Sequence, residues 1–183
     1  MLSQPGRRLT DDHVALDQIL TRLCTALELA DAKLIWATLD LFWARLAVHI
    51  RAEHLHLFPA VLQAASARAN AAAPSLQETS SAIECLRKDH DFFMHELAPA
   101  VGIARELVNS PDQKHDAASL LKLRNTMLEV EQRLAIHNEL EEAQIYSLVK
   151  KVLNEDEEAD LAKRVEAELR HRPARFSQAE WSG

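Results

Sequence analysis

Glycine is nearly missing from this 183-residue chain: Gly6, Gly102 and Gly183 are the only three, too few and too scattered to cradle a phosphate group in a loop. With six prolines as the other turn formers, and with Ala, Leu, Glu, Lys and Arg abundant, strand-rich folds are excluded, because they need tight turns and β-branched runs. The expected fold is all-α, built from long helices. Cysteine is almost as scarce. Cys24 and Cys85 make neither a disulfide framework nor a Cys-x-x-Cys motif, and read as packed free thiols in a reducing compartment. A clean apolar run is also lacking, since "LIWATLDLFWARLAVHI" is interrupted by Asp40 and Arg45 and flanked by Lys33 and Arg51, so no membrane span is expected. After Arg7 and Arg8 comes "DDH" rather than the apolar stretch of an export signal, and a cytoplasmic location is expected. A basic surface is missing too: the net charge is −7 and the cations are interspersed with acids, which argues against nucleic acid as a partner. The His-Glu-x-x-His of zincins is absent, and a ferritin-type site needs two Glu-x-x-His pairs where only Glu53-x-x-His56 exists.

Helix starts are plentiful. Thr10 with Asp11 and Asp12 is expected to open a first helix. "SLQE" at 75–78 is a capping box for a third, "SPDQ" at 110–113 puts Pro111 at the start of a fourth, and "NEDE" at 154–157 starts a fifth. Interruptions near 30–33, 68–75 and 109–112 leave helices of roughly 20, 35, 35 and 40 residues, followed by a short one to about Arg170. Pro59 and Pro99 fall inside the second and third, where kinks are expected. The organisation expected is a four-helix bundle over 1–153, with a C-terminal helix and tail over 154–183.

Each long helix carries one stripe at steps of three or four. In the fourth it runs Leu123, Met127, Val130, Leu134, His137, Glu141, Ile145 and Leu148. In the second it runs Ile35, Leu39, Phe42, Leu46, His49, Glu53 and Leu57, matching the fourth from Leu39 onward at an offset of 88 residues. The first and third helices are related in the same manner, since Leu9, Asp12 and His13 recur as Leu86, Asp89 and His90. Every stripe therefore turns a histidine toward the core.

Residues at one height on antiparallel neighbours lie equally far in sequence from the turn between them. The midpoints of 13 and 49, of 49 and 90, and of 90 and 137 are 31, 69.5 and 113.5, on or near the three interruptions. An up-down-up-down bundle would therefore gather His13, His49, Glu53, His90, His137 and Glu141 in one core layer. Buried charges of this kind need compensation. Two divalent cations, each taking two histidines and sharing the glutamates, supply it most simply, with imidazole and carboxylate suiting iron, manganese or zinc.

The remaining histidines, His54, His56, His95, His115 and His171, lie off the stripes and read as ordinary, partly exposed side chains. Asp17, one turn after His13, is a candidate acceptor for its ring, against the plainer reading of a solvated carboxylate. Met94 borders the layer and reads as core packing. Trp36, Trp43, Ala47 and Ile50 form a second apolar face on the second helix, open to the fifth helix through Leu161, Val165 and Leu169, or to a second copy in a homodimer.

The order His13, His49-x-x-x-Glu53, His90, His137-x-x-x-Glu141, with "EHLHLFP" after the second-helix pair and "EEAQIY" in the fourth helix, resembles the hemerythrin-like, or HHE cation-binding, family over roughly residues 10–153. The resemblance implies a four-helix bundle around a non-haem di-iron centre, with these four histidines and two bridging glutamates as ligands. Oxygen-carrying hemerythrins place a further histidine one turn after the third-helix ligand and an Asp on the fourth helix. This chain has Met94 and Glu141 there, and so resembles the four-histidine, two-glutamate branch, which includes iron-centre repair proteins and an iron- and oxygen-sensing domain of a ubiquitin ligase. Neither the cysteine-bearing module of the former nor an F-box segment is present in the sequence, so neither role is expected. Three functions stay open: binding or reduction of a small oxidant such as O2, NO or peroxide; a carrier or sensor without turnover; and a metal-free helical interaction module.

Overall fold

The computed structural model describes residues 3–67, 75–109 and 117–182. It is all-helical, with no strand among the described residues. Helix α1 is Gln4–Leu29. Helix α2 covers 32–67 as Ala32–Ala52, a π-helical turn Glu53–Leu57 and Phe58–Ala67. Helix α3 is Leu76–Asn109. Helix α4 covers 117–152 as Ala117–Leu140, a second π-helical turn Glu141–Tyr146 and Ser147–Val152. Helix α5 is Glu155–Leu169, and a short α6, Gln178–Ser182, follows.

The caps explain most boundaries. Asp31 accepts from the Leu34 amide and starts α2, directly after Ala30 closes α1 with a positive φ of 52°. Ser75 and Glu78 form the expected reciprocal box, as do Asn154 and Glu157. The first helix begins earlier than expected: Ser3, not Thr10, is its cap, accepting from the Gly6 amide with Pro5 in the first turn. Thr10 and its two aspartates are therefore mid-helix. Pro99 sits within the continuous α3, and Pro59 is the second residue after the first π turn. The start placed at Pro111, most of the 68–75 interruption, and His115 lie outside the described residues.

Helices α1 and α2 pack together, as do α2 and α3, α3 and α4, and α4 and α1, so the four long helices close a ring of contacts. Helix α5 lies on α1 and α2, while α6 touches α2. The core inside this ring is cut in two. One apolar cluster gathers Leu16, Leu39, Phe42, Leu46, Phe93, Met127 and Leu134; the other gathers Leu9, Leu57, Phe58, Leu86, Ile145, Val149, Leu161 and Val165. Along each chain segment the histidine stands between members of the two clusters: His13 between Leu9 and Leu16, His90 between Leu86 and Phe93.

Two expectations about packing need correction. Helix α5 does bury Leu161 and Val165, but the C-terminal segments reach α2 through Asp40, Arg45 and Arg51 rather than through the face bearing Trp36 and Trp43, which stays half-buried. Phe176 and Trp181, unassigned in the sequence reading, join the first cluster instead. The cysteines are free, yet Cys85 is exposed and Cys24 only half-buried, so neither is a packed core thiol.

Candidate metal centre

All six candidate residues lie in the layer between the two apolar clusters. His13, His49, His90 and His137 are 2–4% exposed, and Glu53 and Glu141 are fully buried. Their ligating atoms fall into two groups, each held within 4.8 Å: His13, His49 and Glu141 in one, and Glu53, His90, His137 and Glu141 in the other. Glu141 belongs to both.

The orientation of the rings carries the chemistry. The Nε2 atoms of His13 and His49 face each other at 3.2 Å, and those of His90 and His137 at 3.0 Å. Their Nδ1 atoms all point outward to a partner: His13 to Glu142 at 3.2 Å, His49 to Asp12 at 3.0 Å, His90 to the His54 ring at 2.9 Å and His137 to Asp89 at 3.3 Å. A carboxylate on Nδ1 fixes the proton there and turns the Nε2 lone pair inward, as in metal-ligating histidines. Two inward lone pairs at this separation repel unless a proton or a cation lies between them. Two nitrogen ligands at right angles, each about 2.1 Å from one ion, stand about 3 Å apart. The observed pairs have that spacing.

The carboxylates give a second indication. Glu53 Oε2 and Glu141 Oε1 are buried with no hydrogen-bond partner, although they lie 3.3 Å and 3.5 Å from His90 Nε2, and Glu141 Oε1 lies 3.0 Å from His137 Nε2. An unsatisfied buried carboxylate oxygen costs several kcal/mol of desolvation, on the order of 1–3 or more. Both orphaned oxygens approach His90 Nε2; Glu53 Oε2 also lies 3.8 Å from His49 Nε2, on the other side of the layer. The residues present therefore fit a metal site: each group could hold an ion.

Protons take part of that role in the protein as it stands. For His13, burial disfavours the charged ring, but the hydrogen bond and charge of Glu141, helped by Glu53 and Glu142, outweigh it and raise its pKa to about 9. For His90, burial likewise acts downward and is overcome by Glu141 and Glu53, again to about 9. Glu141 is the reciprocal case: burial pushes it up, and His137, His13 and His90 bring it well below the usual carboxylate range. The signs of the stability effects follow. The two raised histidines stabilise the fold fully below their unfolded value of 6.5, and lose that contribution as pH rises to about 9; Glu141 contributes above its unfolded value of 4.5 and loses this as pH falls below it. Thermal melts of the metal-free protein are expected to peak between these limits and to decline from pH 6.5 to 9. A flat profile across that window would contradict the histidine–glutamate coupling.

Several functional neighbours escaped the sequence reading. Arg45 clamps Asp12 through Nε and Nη2 at 2.9 and 2.8 Å, and Arg133 clamps Asp89 at 2.8 and 2.7 Å. The aspartates then orient His49 and His137, so two Arg–Asp–His chains are built in parallel. The recurrence of Asp12-His13 as Asp89-His90, and of Arg45 as Arg133 at the same 88-residue offset as the ligand pairs, was the available signal. Asp17 is exposed, the plainer of its two readings, and the carboxylate on His13 Nδ1 is that of Glu142. His54 is no ordinary surface histidine: it holds the His90 ring, and burial lowers its own pKa, followed by His90 and Arg87.

Tyr146 is the other omission. Fully buried, its hydroxyl donates to Glu53 Oε1 at 2.7 Å and lies 3.1 Å from Glu141 Oε2 and 3.2 Å from His13 Nε2. Burial raises its pKa well above the usual phenol value, and the charges of Glu141 and Glu53 add to this. Gly6 lets α1 close over it, for a Cβ at residue 6 would stand 2.9 Å from Tyr146 Cβ.

A surface recess of about 410 Å³ borders Asp12 and Arg45 from outside and is lined also by Arg8, Glu166 and Trp181. Its lining includes Asp12, the partner of His49, and none of the six candidate ligands. No model of a known protein family matches the chain, and no curated protein and no solved structure matches it either.

Proposed function

We propose that the four long helices form an up-down-up-down bundle of the hemerythrin-like type around a non-haem di-iron centre that binds or reduces a small oxidant such as O2, NO or peroxide. His13 and His49 would hold one iron, His90 and His137 the other, with Glu53 and Glu141 shared between them. The observation that carries this reading is the inward Nε2 pairing of four rings whose Nδ1 atoms are all engaged, around two orphaned carboxylate oxygens. Bound iron supplies reversible electron transfer and an exchangeable coordination position for a small ligand.

The chain's own residues set the conditions. Leu16, Leu39, Phe42, Leu46, Phe93, Met127, Val130 and Leu134, all 2% exposed or less, wall one side and keep bulk water out. The Arg–Asp–His chains hold the His49 and His137 rings in place. A second reading, a carrier or sensor without turnover, is favoured by one contact: Arg45 Nη1 donates to the Trp181 carbonyl at 2.7 Å while the same guanidinium holds Asp12. A displacement of His49 would thereby reach the C-terminal helix.

The test is anaerobic iron loading with metal analysis, followed by optical spectra before and after O2 or NO. Two iron per chain and a ligand-dependent spectrum are expected. Turnover of peroxide or NO separates the oxidant-reducing reading from the sensor, and a chain that takes up no metal is instead a helical interaction module.

A further inference from the structure

The two groups of candidate ligands are not gathered equally closely. Glu53, His90, His137 and Glu141 converge on one side and His13, His49 and Glu141 on the other, where Glu53 comes only within 3.8 Å of His49 Nε2. The 88-residue repeat that relates the two halves takes Arg45 to Arg133, His49 to His137 and Glu53 to Glu141, and it also takes Phe58 to Tyr146. Phe58 stacks at 6.1 Å on His90 and brings no polar atom. Tyr146 stacks at 5.7 Å on His13 and brings an oxygen.

That oxygen is aimed into the site. Its distances of 3.2 Å to His13 Nε2 and 3.1 Å to Glu141 Oε2 match the spacing between donors in the other group, where His137 and Glu141 are 3.0 Å apart and His90 and Glu53 are 3.3 Å apart. Resting on the di-metal reading above, we infer that the Tyr146 phenol oxygen is a further metal ligand, donated to the ion held by His13 and His49 and to that ion alone. The ion replaces the phenolic proton, which leaves to solvent. The two positions would thus be chemically distinct: one would carry a phenolate, and the other, beside Phe58 and Phe93, would carry none.

Tyr146 is the sole tyrosine of the chain, so a tyrosinate signal can have no other source. The iron(III)-loaded full-length protein is expected to show a visible phenolate-to-iron charge-transfer band, with tyrosine ring vibrations enhanced on resonance Raman excitation into it. Tyr146→Phe keeps the ring and should lose the band. In zinc titrations it should weaken one of two binding steps by roughly tenfold or more, within the range that lost site contacts cost. Wild-type protein that holds two irons by metal analysis but shows no tyrosinate band overturns the inference and leaves the di-metal centre standing. Protein that binds no iron overturns both. Should the variant fail to fold, the wild-type spectrum still decides.

Discussion

Replacing Glu141 by Ala is expected to abolish retention of metal and to destabilise even the metal-free protein by about 3–5 kcal/mol, the usual cost of removing one partner from a buried charge network. The reason is its double membership. Glu141 is the single side chain common to both ligand groups, so its loss takes a donor from each. Without metal, its oxygens still lie 3.3 Å from His13, 3.5 Å from His90 and 3.0 Å from His137, and these rings would be left with Glu53 as their only buried counter-charge. At roughly 2–4 °C per kcal/mol for a chain of this size, the melting temperature should fall by about 6–20 °C. Glu142→Ala provides the contrast, because that carboxylate is part-exposed and touches only the outer nitrogen of His13. Metal analysis and melts of the stripped proteins check both. If Glu141→Ala keeps its full metal complement, Glu141 has no place in the site.

Chelation should produce the second large effect. An ion that binds only the folded chain stabilises it by about 4 kcal/mol when free metal is a thousandfold above its dissociation constant. Stripping two such ions should therefore lower the melting temperature by more than about 10 °C. Unfolding outright is not expected. The Arg–Asp–His chains, the protonated histidines and the two apolar clusters all remain, and re-addition of metal should restore the original melt. Scanning calorimetry with and without chelator settles it; identical curves from a sample that demonstrably lost its metal would show that the layer is closed by protons alone.

The six inward residues were legible because three independent regularities agree on them: the helical stripe, the 88-residue repeat and the equal heights about the interruptions. The outer partners were harder to read. Asp12 and Asp89 lie one residue off the stripe, on flanks where a carboxylate ordinarily meets water, and only the repeat marks them. Tyr146 was hidden by backbone geometry. In a regular α-helix, residues five apart point about 140° away from each other, so a tyrosine five after Glu141 should face elsewhere. The π turn Glu141–Tyr146 widens the helix and brings both into the layer, and the matching turn Glu53–Leu57 does the same for Phe58. Nothing in the residue pattern announces such a turn beforehand. The C-terminal contacts of Phe176 and Trp181 were likewise unreadable, since a short helix after a loop has no periodicity to display.

The division of the core has one more consequence. A bundle filled only with leucine could slide one helix past another by a turn, about 5.4 Å, and still find oil to meet oil. Here such a slip would press an ionised ring or a carboxylate against Leu46, Phe93 or Leu134, and strand its former neighbours. The ionic belt across the middle thus works as an alignment key, permitting a single longitudinal setting for each helix before any ion arrives.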